Sequence, residues 1–361
     1  MRTLFYLPVF RLGETSYYWE DVVLAAMAWE DWRLLRDTIR AGLACAKRMR
    51  DLAQWPSDEE IDSSMREFRY QNGLISAEDV EVWLKKWGLT TLDWMKYICM
   101  SVLRRKWAHN LTDIMKQFSV RDGEIDQHMK AEGICSGELL SWCRKLAIRV
   151  SLFEKYKKEW TKYESDEGFQ EKMKELLKGY RSNVKKSGQL SILTPKACRE
   201  KLEYLVKVDL CFQRFCERVF TEDAINEQIR FHNFDWIRID CLRLSFPDEQ
   251  MAKEALLCVK QDGEHFDELA ARIQGQIHED HFYLDCLDST LHTHFLYAQK
   301  GELIGPITME GNPTLFLLRD KAMPSLNDPH IKQRAQEKIL NNTIDHELHN
   351  RVHWEDSFYK E

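Results

Sequence analysis

Three things are missing from this chain: a long apolar run, a paired-cysteine motif and a surplus of positive charge. No stretch approaches the ~20 apolar residues of a membrane span. Leu4-Phe5-Tyr6-Leu7-Pro8-Val9-Phe10 is apolar but too short and proline-broken for a signal peptide, and acidic Glu14, Glu20 and Asp21 follow without a small-residue cleavage pattern. A cytoplasmic location is therefore expected. Ten cysteines are scattered with no Cys-x-x-Cys pair, so neither a disulfide framework nor a zinc ribbon is expected. Cys99, Cys211 and Cys216 read instead as small buried hydrophobes on helix faces. A net charge of −7 argues against a general binder of nucleic acid or anionic membrane. Phosphate-binding glycine loops, nucleophile elbows and dinucleotide fingerprints are absent, and no cofactor is expected.

What is there is a large helical region. The chain has 361 residues, 44% hydrophobic and 31% charged, enough for about two or three soluble globular domains. From Tyr17 to about Trp236 nearly everything reads as helix. Val23, Met27, Leu34 and Leu35 start an amphipathic pattern that carries Trp19, Trp29 and Trp32, whose helical spacing points to core packing. Ser57 with Glu60 is a capping box, Ser76-Ala77-Glu78-Asp79 repeats the device, and Thr91-Leu92-Asp93 opens the next helix. A related rhythm runs from Val120 to Phe153. Tyr156 to Gln189 is rich in Lys and Glu and reads as a solvated helix with a flexible connection. Thr194-Pro195 begins another helix, with Leu202, Leu205, Val206, Leu210, Phe212 and Phe215 as its apolar positions. Ile331 to Trp354 reads as a last long helix with an apolar stripe at Ile339, Ile344, Leu348 and Val352.

Between these helices the pattern changes. Ile237 to Leu244 alternates with period two, as a half-buried strand does. Asp248 to Gln261 reads as a helix closed by Gly263, and His265 to Ala271 as a second, shorter one. Lys300-Gly301-Glu302-Leu303-Ile304-Gly305-Pro306-Ile307 follows, and Thr314 to Leu318 forms a closing strand.

That order, the phrase formed by Gly263, Phe266, Leu269 and Ala270, and the run Lys300–Ile307 together resemble the parvulin domain of peptidyl-prolyl isomerases of the SurA–PrsA foldase type. The likeness covers about a quarter of the chain. The capped helices of residues 57–107 resemble the N-terminal helical domain of the same foldases, and the resemblance implies that the C-terminal helix returns to complete it. An X-Pro bond crosses a barrier near ~20 kcal/mol unaided. Parvulins lower it with a first-strand histidine, a last-strand histidine, a nearby Asp or Cys, and a Leu/Met–Phe pair that holds the proline. Carried over, the two histidine positions fall on Cys241 and Thr314. The pocket pair falls on Leu287 and Leu291, with Phe295 next on the same helix. The family's Gly-Gly-Asp-Leu-Gly loop would lie near Gln276–Asp280, which reads Gln-Ile-His-Glu-Asp and contains none of it.

The expected fold is thus α+β and mostly helical. It comprises an N-terminal helical region (1–160), a charged connection with helices (161–235), a parvulin-like antiparallel sheet with flanking helices (236–325) and a C-terminal helix (326–361). The resemblance implies a chaperone or accessory protein with a degenerate isomerase site. Its partner would be a polypeptide or precursor-peptide client, together with a modifying enzyme or larger complex, and not nucleic acid. An active isomerase with a rearranged site is the alternative. His346, His349 and His353 share a face of the last helix, while His278, His281, His292 and His294 flank the expected cleft. Packed or solvated imidazoles are expected at both places, with no metal. Truncation at Pro329 should destabilise the helical region, lowering its thermal unfolding temperature; an unchanged transition would rule out the return of the C-terminal helix.

Overall fold

A computed structural model describes residues 5–160, 162–163, 167–187, 194–287, 289–309 and 311–355. The chain divides into two compact units, Met1–Phe215 with Ile344–Glu361, and Cys216–Thr343. Among the described residues there are fifteen α-helices and seven strands in two small antiparallel sheets, the mostly helical α+β class expected.

The first unit opens with β1 (Pro8–Leu12) and β2 (Thr15–Tyr18), a hairpin turned at Gly13, whose φ of 58° suits a residue without Cβ. Nine helices follow: α1 (Trp19–Ala28), α2 (Asp31–Leu52), α3 (Asp58–Gln71), α4 (Ala77–Trp87), α5 (Thr91–Lys106), α6 (Leu111–Gln117), α7 (Asp122–Cys135), α8 (Glu138–Trp160) and α9 (Glu167–Ser187). The long α10 (Pro195–Val219) leads out of the unit. The capping boxes form at Ser57–Glu60 and Ser76–Asp79, where each hydroxyl accepts an N3 amide and each carboxylate returns to the cap amide. The third cap is Thr90, one residue earlier than expected, because its hydroxyl is the one that reaches Asp93 N.

Helix α2 is the spine of this unit. Leu35, Ile39, Cys45 and Met49 line its buried face, and Gly42 permits the crossing with α5, since a Cβ there would stand 2.8 Å from Arg104 Nη1 and 3.1 Å from Met100 Cβ. Trp19 and Trp32 are core residues. Helix α9 forms as expected and keeps its charged residues exposed, but one face is anchored: Phe169, Tyr180 and Val184 are buried, and Asn183 Nδ2 donates to Ala28 O at 3.0 Å. The expected connection at Gly188 lies outside the described residues.

A buried carboxylate holds α1, α8, α9 and α10 together. Asp209 Oδ2 accepts from Trp29 Nε1 at 2.8 Å and from Tyr180 OH at 2.7 Å, and its Oδ1 meets Arg149 Nε at 2.9 Å. The Arg149 guanidinium also stacks on Trp29 and Phe212. Each charge is compensated, as a buried charge must be.

The second unit contains α11 (Glu222–Phe231), β3 (Arg238–Ser245), α12 (Glu249–Leu257), α13 (Phe266–Arg272), β4 (His278–Tyr283), α14 (Ser289–Tyr297), β5 (Leu303–Met309) and β6 (Asn312–Ala322). It also holds the first part of α15 (Pro329–Arg351). Its sheet has the order β4-β3-β6-β5. One face packs on α14 through Ile239, Cys241, Leu291, Phe295, Phe316 and Leu318. The other packs on α12 and α13 through Leu242, Leu244, Ala252, Phe266, Leu269 and Leu315. Ile225 and Ile229 of α11 meet Trp236, Ile331 and Ala335 in a third cluster.

The last helix ends at Arg351, and β7 (Val352–Trp354) follows as a strand in the order β2-β1-β7. Phe10 of β1 lies 5.5 Å from the Trp354 ring and 4.7 Å from Tyr17. The tail thus joins the first unit as a strand where a continuous helix was expected. Val-His-Trp has the β-branched and aromatic character that favours that choice. Ile344 is buried, and the side chain of Leu348 lies outside the described residues.

Arg149→Met should cost about 3–5 kcal/mol in denaturant unfolding, because it strands a buried carboxylate. Adding Asp209→Asn to that variant should restore part of the loss; a double variant no more stable than the single one would refute the role of the pair.

Candidate functional site

The α14-facing side of the sheet is where the carried-over positions meet. Cys241 sits in β3 at 2% exposure, and Leu291 and Phe295 of α14 share its cluster at 8% and 0%. Phe295 packs edge-on against Phe282 at 5.1 Å and Phe316 at 5.4 Å. Leu287 also packs against this cluster, but it precedes α14 in extended backbone (φ −96°, ψ 151°) and does not share its helix. Four of the five positions therefore converge, and they form a filled apolar core.

Thr314 is separate. It pairs with Ser245, four residues beyond Cys241 along β3, a distance of about 13 Å. Its hydroxyl lies 3.1 Å from Ser245 Oγ and donates to Asn312 O at 3.1 Å. The residue directly across from Cys241 on β6 is Leu318, with Phe316 next on the same face. Elsewhere on the sheet the β5–β6 ladder shifts by one residue between Ile304 and Ile307. Gly305 sits in that irregularity at φ 118°, and a Cβ there would stand 2.6 Å from Thr314 O. Glycine is required at that position by conformation and by space.

Two polar residues on the same face escaped the sequence reading. Asp280 of β4 pairs directly with Cys241, and its Oδ2 meets Arg243 Nε at 2.7 Å. Alternation along β4 puts His278, Asp280 and Phe282 on this side, and Glu279, His281 and Tyr283 on the other. The run His-Glu-Asp-His-Phe-Tyr carries charge at consecutive positions, so no apolar alternation marked it as a strand. The aromatic pair at its end was the available signal.

The electrostatics disfavour nucleophilic or acid–base work here. Burial pushes the Cys241 thiol from 9.0 up to about 12, and the Asp280 and Asp240 carboxylates add to the rise. A protonated, enclosed thiol is a poor nucleophile. Arg243 and Asp280 neutralise one another. Among the described residues, no three His, Cys, Asp or Glu side chains converge as metal ligands.

No protein-family model and no curated protein matches the chain. Among solved structures, PrsA from Bacillus subtilis aligns over 64% of this chain and 87% of its own, at 19% identity and a TM-score of 0.21. A structure from work on the Campylobacter jejuni proteins PEB4 and Cj1289, described as SurA-like chaperones, aligns over 66% of this chain and 95% of its own, at 11% identity and a TM-score of 0.20. Superposition at such scores is loose.

The Cys241 shift fixes a pH dependence. Its folded-state value is raised, so the contribution to stability is complete below pH 9.0 and is lost as pH rises toward about 12. Urea midpoints should therefore fall on the alkaline side in the wild type, and less steeply in Cys241→Ala. Equal slopes in the two proteins would show that the thiol is not held protonated.

Proposed function

We propose that this chain is a polypeptide-binding protein of the chaperone or accessory type, in which an isomerase-like unit serves as a binding scaffold without isomerase chemistry. One observation carries the reading: Leu318 and Phe316 stand where polar partners for Cys241 would be needed. Accelerating X-Pro rotation requires groups that stabilise the twisted amide more than the planar one. On this face the charged candidates, Arg243 and Asp280, are engaged with each other. Leu291 and Phe295, the proline-pocket positions, are enclosed in the core.

Exposed apolar residues in the first unit support the binding half of the proposal. Tyr70, Ile75, Val82, Leu92 and Met95, all on α3 to α5 or their connections, are 78%, 77%, 62%, 59% and 47% exposed. Isolated exposed apolar residues are ordinary, but several within one helical block supply surface for an unfolded segment. A general chaperone would accept many such segments. A dedicated accessory would hold one precursor peptide for a modifying enzyme.

Exchange NMR on a panel of X-Pro peptides tests the first half. The wild type should leave the cis–trans rate at its uncatalysed value, and acceleration abolished by Leu291→Ala would overturn the proposal. Binding and aggregation assays test the second. Suppression of aggregation across unrelated clients marks the general form, and tight binding of a single peptide marks the dedicated one. An absence of all polypeptide binding would refute both forms.

A further inference from the structure

The two edges of the four-stranded sheet differ in a way the proposed function does not use. Strand β5 is a guarded edge: it carries Pro306, has a shifted register between Ile304 and Ile307, and bends at Gly305. Those devices prevent a further strand from pairing. Strand β4 at the opposite edge has none of them. Its ladder with β3 runs without a register shift from Arg238–Tyr283 to Arg243–His278. It contains no proline, and among the described residues its outer backbone groups have no backbone partner.

Beside this open edge lies a cavity of ≈ 390 Å³ lined by Arg238, Asp240, His281, Phe282, Tyr283 and His330, all but Phe282 and His330 being strand residues of the face away from Cys241. The carboxylates lining the cavity and at the start of α15 are engaged, while Glu279 lies farther along the same side of β4. Asp240 takes His281 Nδ1 at 2.7 Å and Arg238 Nη2 at 3.1 Å. Asp328 caps the first turn of α15 through His330 N at 2.9 Å, and Asp285 is ion-paired with Arg334. Donors are left over. Arg238 offers further N–H groups, and the His330 ring has no hydrogen-bond partner among the described residues. A concave site with satisfied carboxylates and spare cationic or N–H donors is complementary to an anion.

We propose that β4 accepts an extended segment of a client polypeptide as a fifth strand, and that the cavity takes an acidic side chain of that segment. The two features are in register. A strand added to β4 alternates its side chains, so every second one falls on the Phe282 side and the others on the side of His281 and Tyr283. The client chemistry is therefore an alternation of apolar and acidic residues. This inference rests on the chain being a polypeptide binder.

The test is isothermal titration of the full chain with a short, acetylated and amidated peptide alternating Val and Glu. Its Val–Gln counterpart and a version N-methylated at alternate backbone amides serve as comparisons. The Val–Glu peptide should bind about tenfold more tightly than the Val–Gln peptide, the scale of one charge-assisted hydrogen bond. N-methylation on the pairing edge should abolish binding. Arg238→Gln combined with His330→Gln should erase the Glu preference while leaving the Val–Gln affinity unchanged. Equal affinities for Glu and Gln peptides, or binding indifferent to N-methylation, would overturn the β4 site. In that case suppressed aggregation of an unfolded client, or tight binding of some other peptide, would leave the reading beneath standing. Absence of all polypeptide binding would sink both.

Discussion

Strand β3 is the constraint on which the second unit depends. Ile239 and Cys241 enter the cluster under α14, while Leu242 and Leu244 enter the cluster under α12 and α13. Burial of a large apolar side chain contributes about 1.5–3 kcal/mol, so a strand supplying two cores cannot slide. A slip of one residue would send Asp240 into the α14 face and expel Ile239 and Cys241. The register shift between Asp240 and Cys241 in the β3–β6 ladder is absorbed without disturbing either core. Every other position in the unit is referred to this strand, including the side of the sheet on which each polar residue lies.

That constraint explains why the α14 face is a core and not a groove. Cys241, Phe316 and Leu318 project from adjacent strands toward Phe295, which is fully enclosed. A histidine at the Leu318 position would need a hydrogen-bond partner in an otherwise apolar cluster, and unpaired burial costs ~1–3 kcal/mol. Leucine and phenylalanine at these positions carry no such cost. Asp280 remains, but its ion pair with Arg243 makes it part of the wall.

Legibility in the sequence followed the strength of local signals. The caps at Ser57 and Ser76, the strand at 237–244 and the apolar spacing of α10 are short-range patterns with a mechanism, and they appear within a residue or two of expectation. Strands β1, β2 and β7 were hidden because strands of three to five residues have too few positions to show a period. Helix α12 was read four residues too long: its backbone widens into a π-turn at Cys258–Asp262 before Gly263 closes it at φ 71°. Cys241, Leu291 and Phe295 lie on well-marked elements and share one cluster, whereas Thr314 stands apart from them opposite Ser245. Asp280 went unnoticed because the consecutive charges of its strand conceal its faces.

The polar residues of β3 and β4 divide between the two faces of the sheet, and the proposed acidic-residue site lies away from the Cys241 side. On the α14 side, one cation meets one carboxylate, and neither has a reason to seek a third group. On the cavity side, Asp240 is shared by Arg238 and His281, with His330 close by. One carboxylate there satisfies Arg238 only in part, because the guanidinium retains N–H groups it has not used. An ion pair closed on itself contributes to wall and register, while an over-subscribed carboxylate leaves a local need for an acceptor from outside. Adjacent strands in one fixed register impose both conditions, so a substitution that shifts β3 would alter the core and the cavity at once.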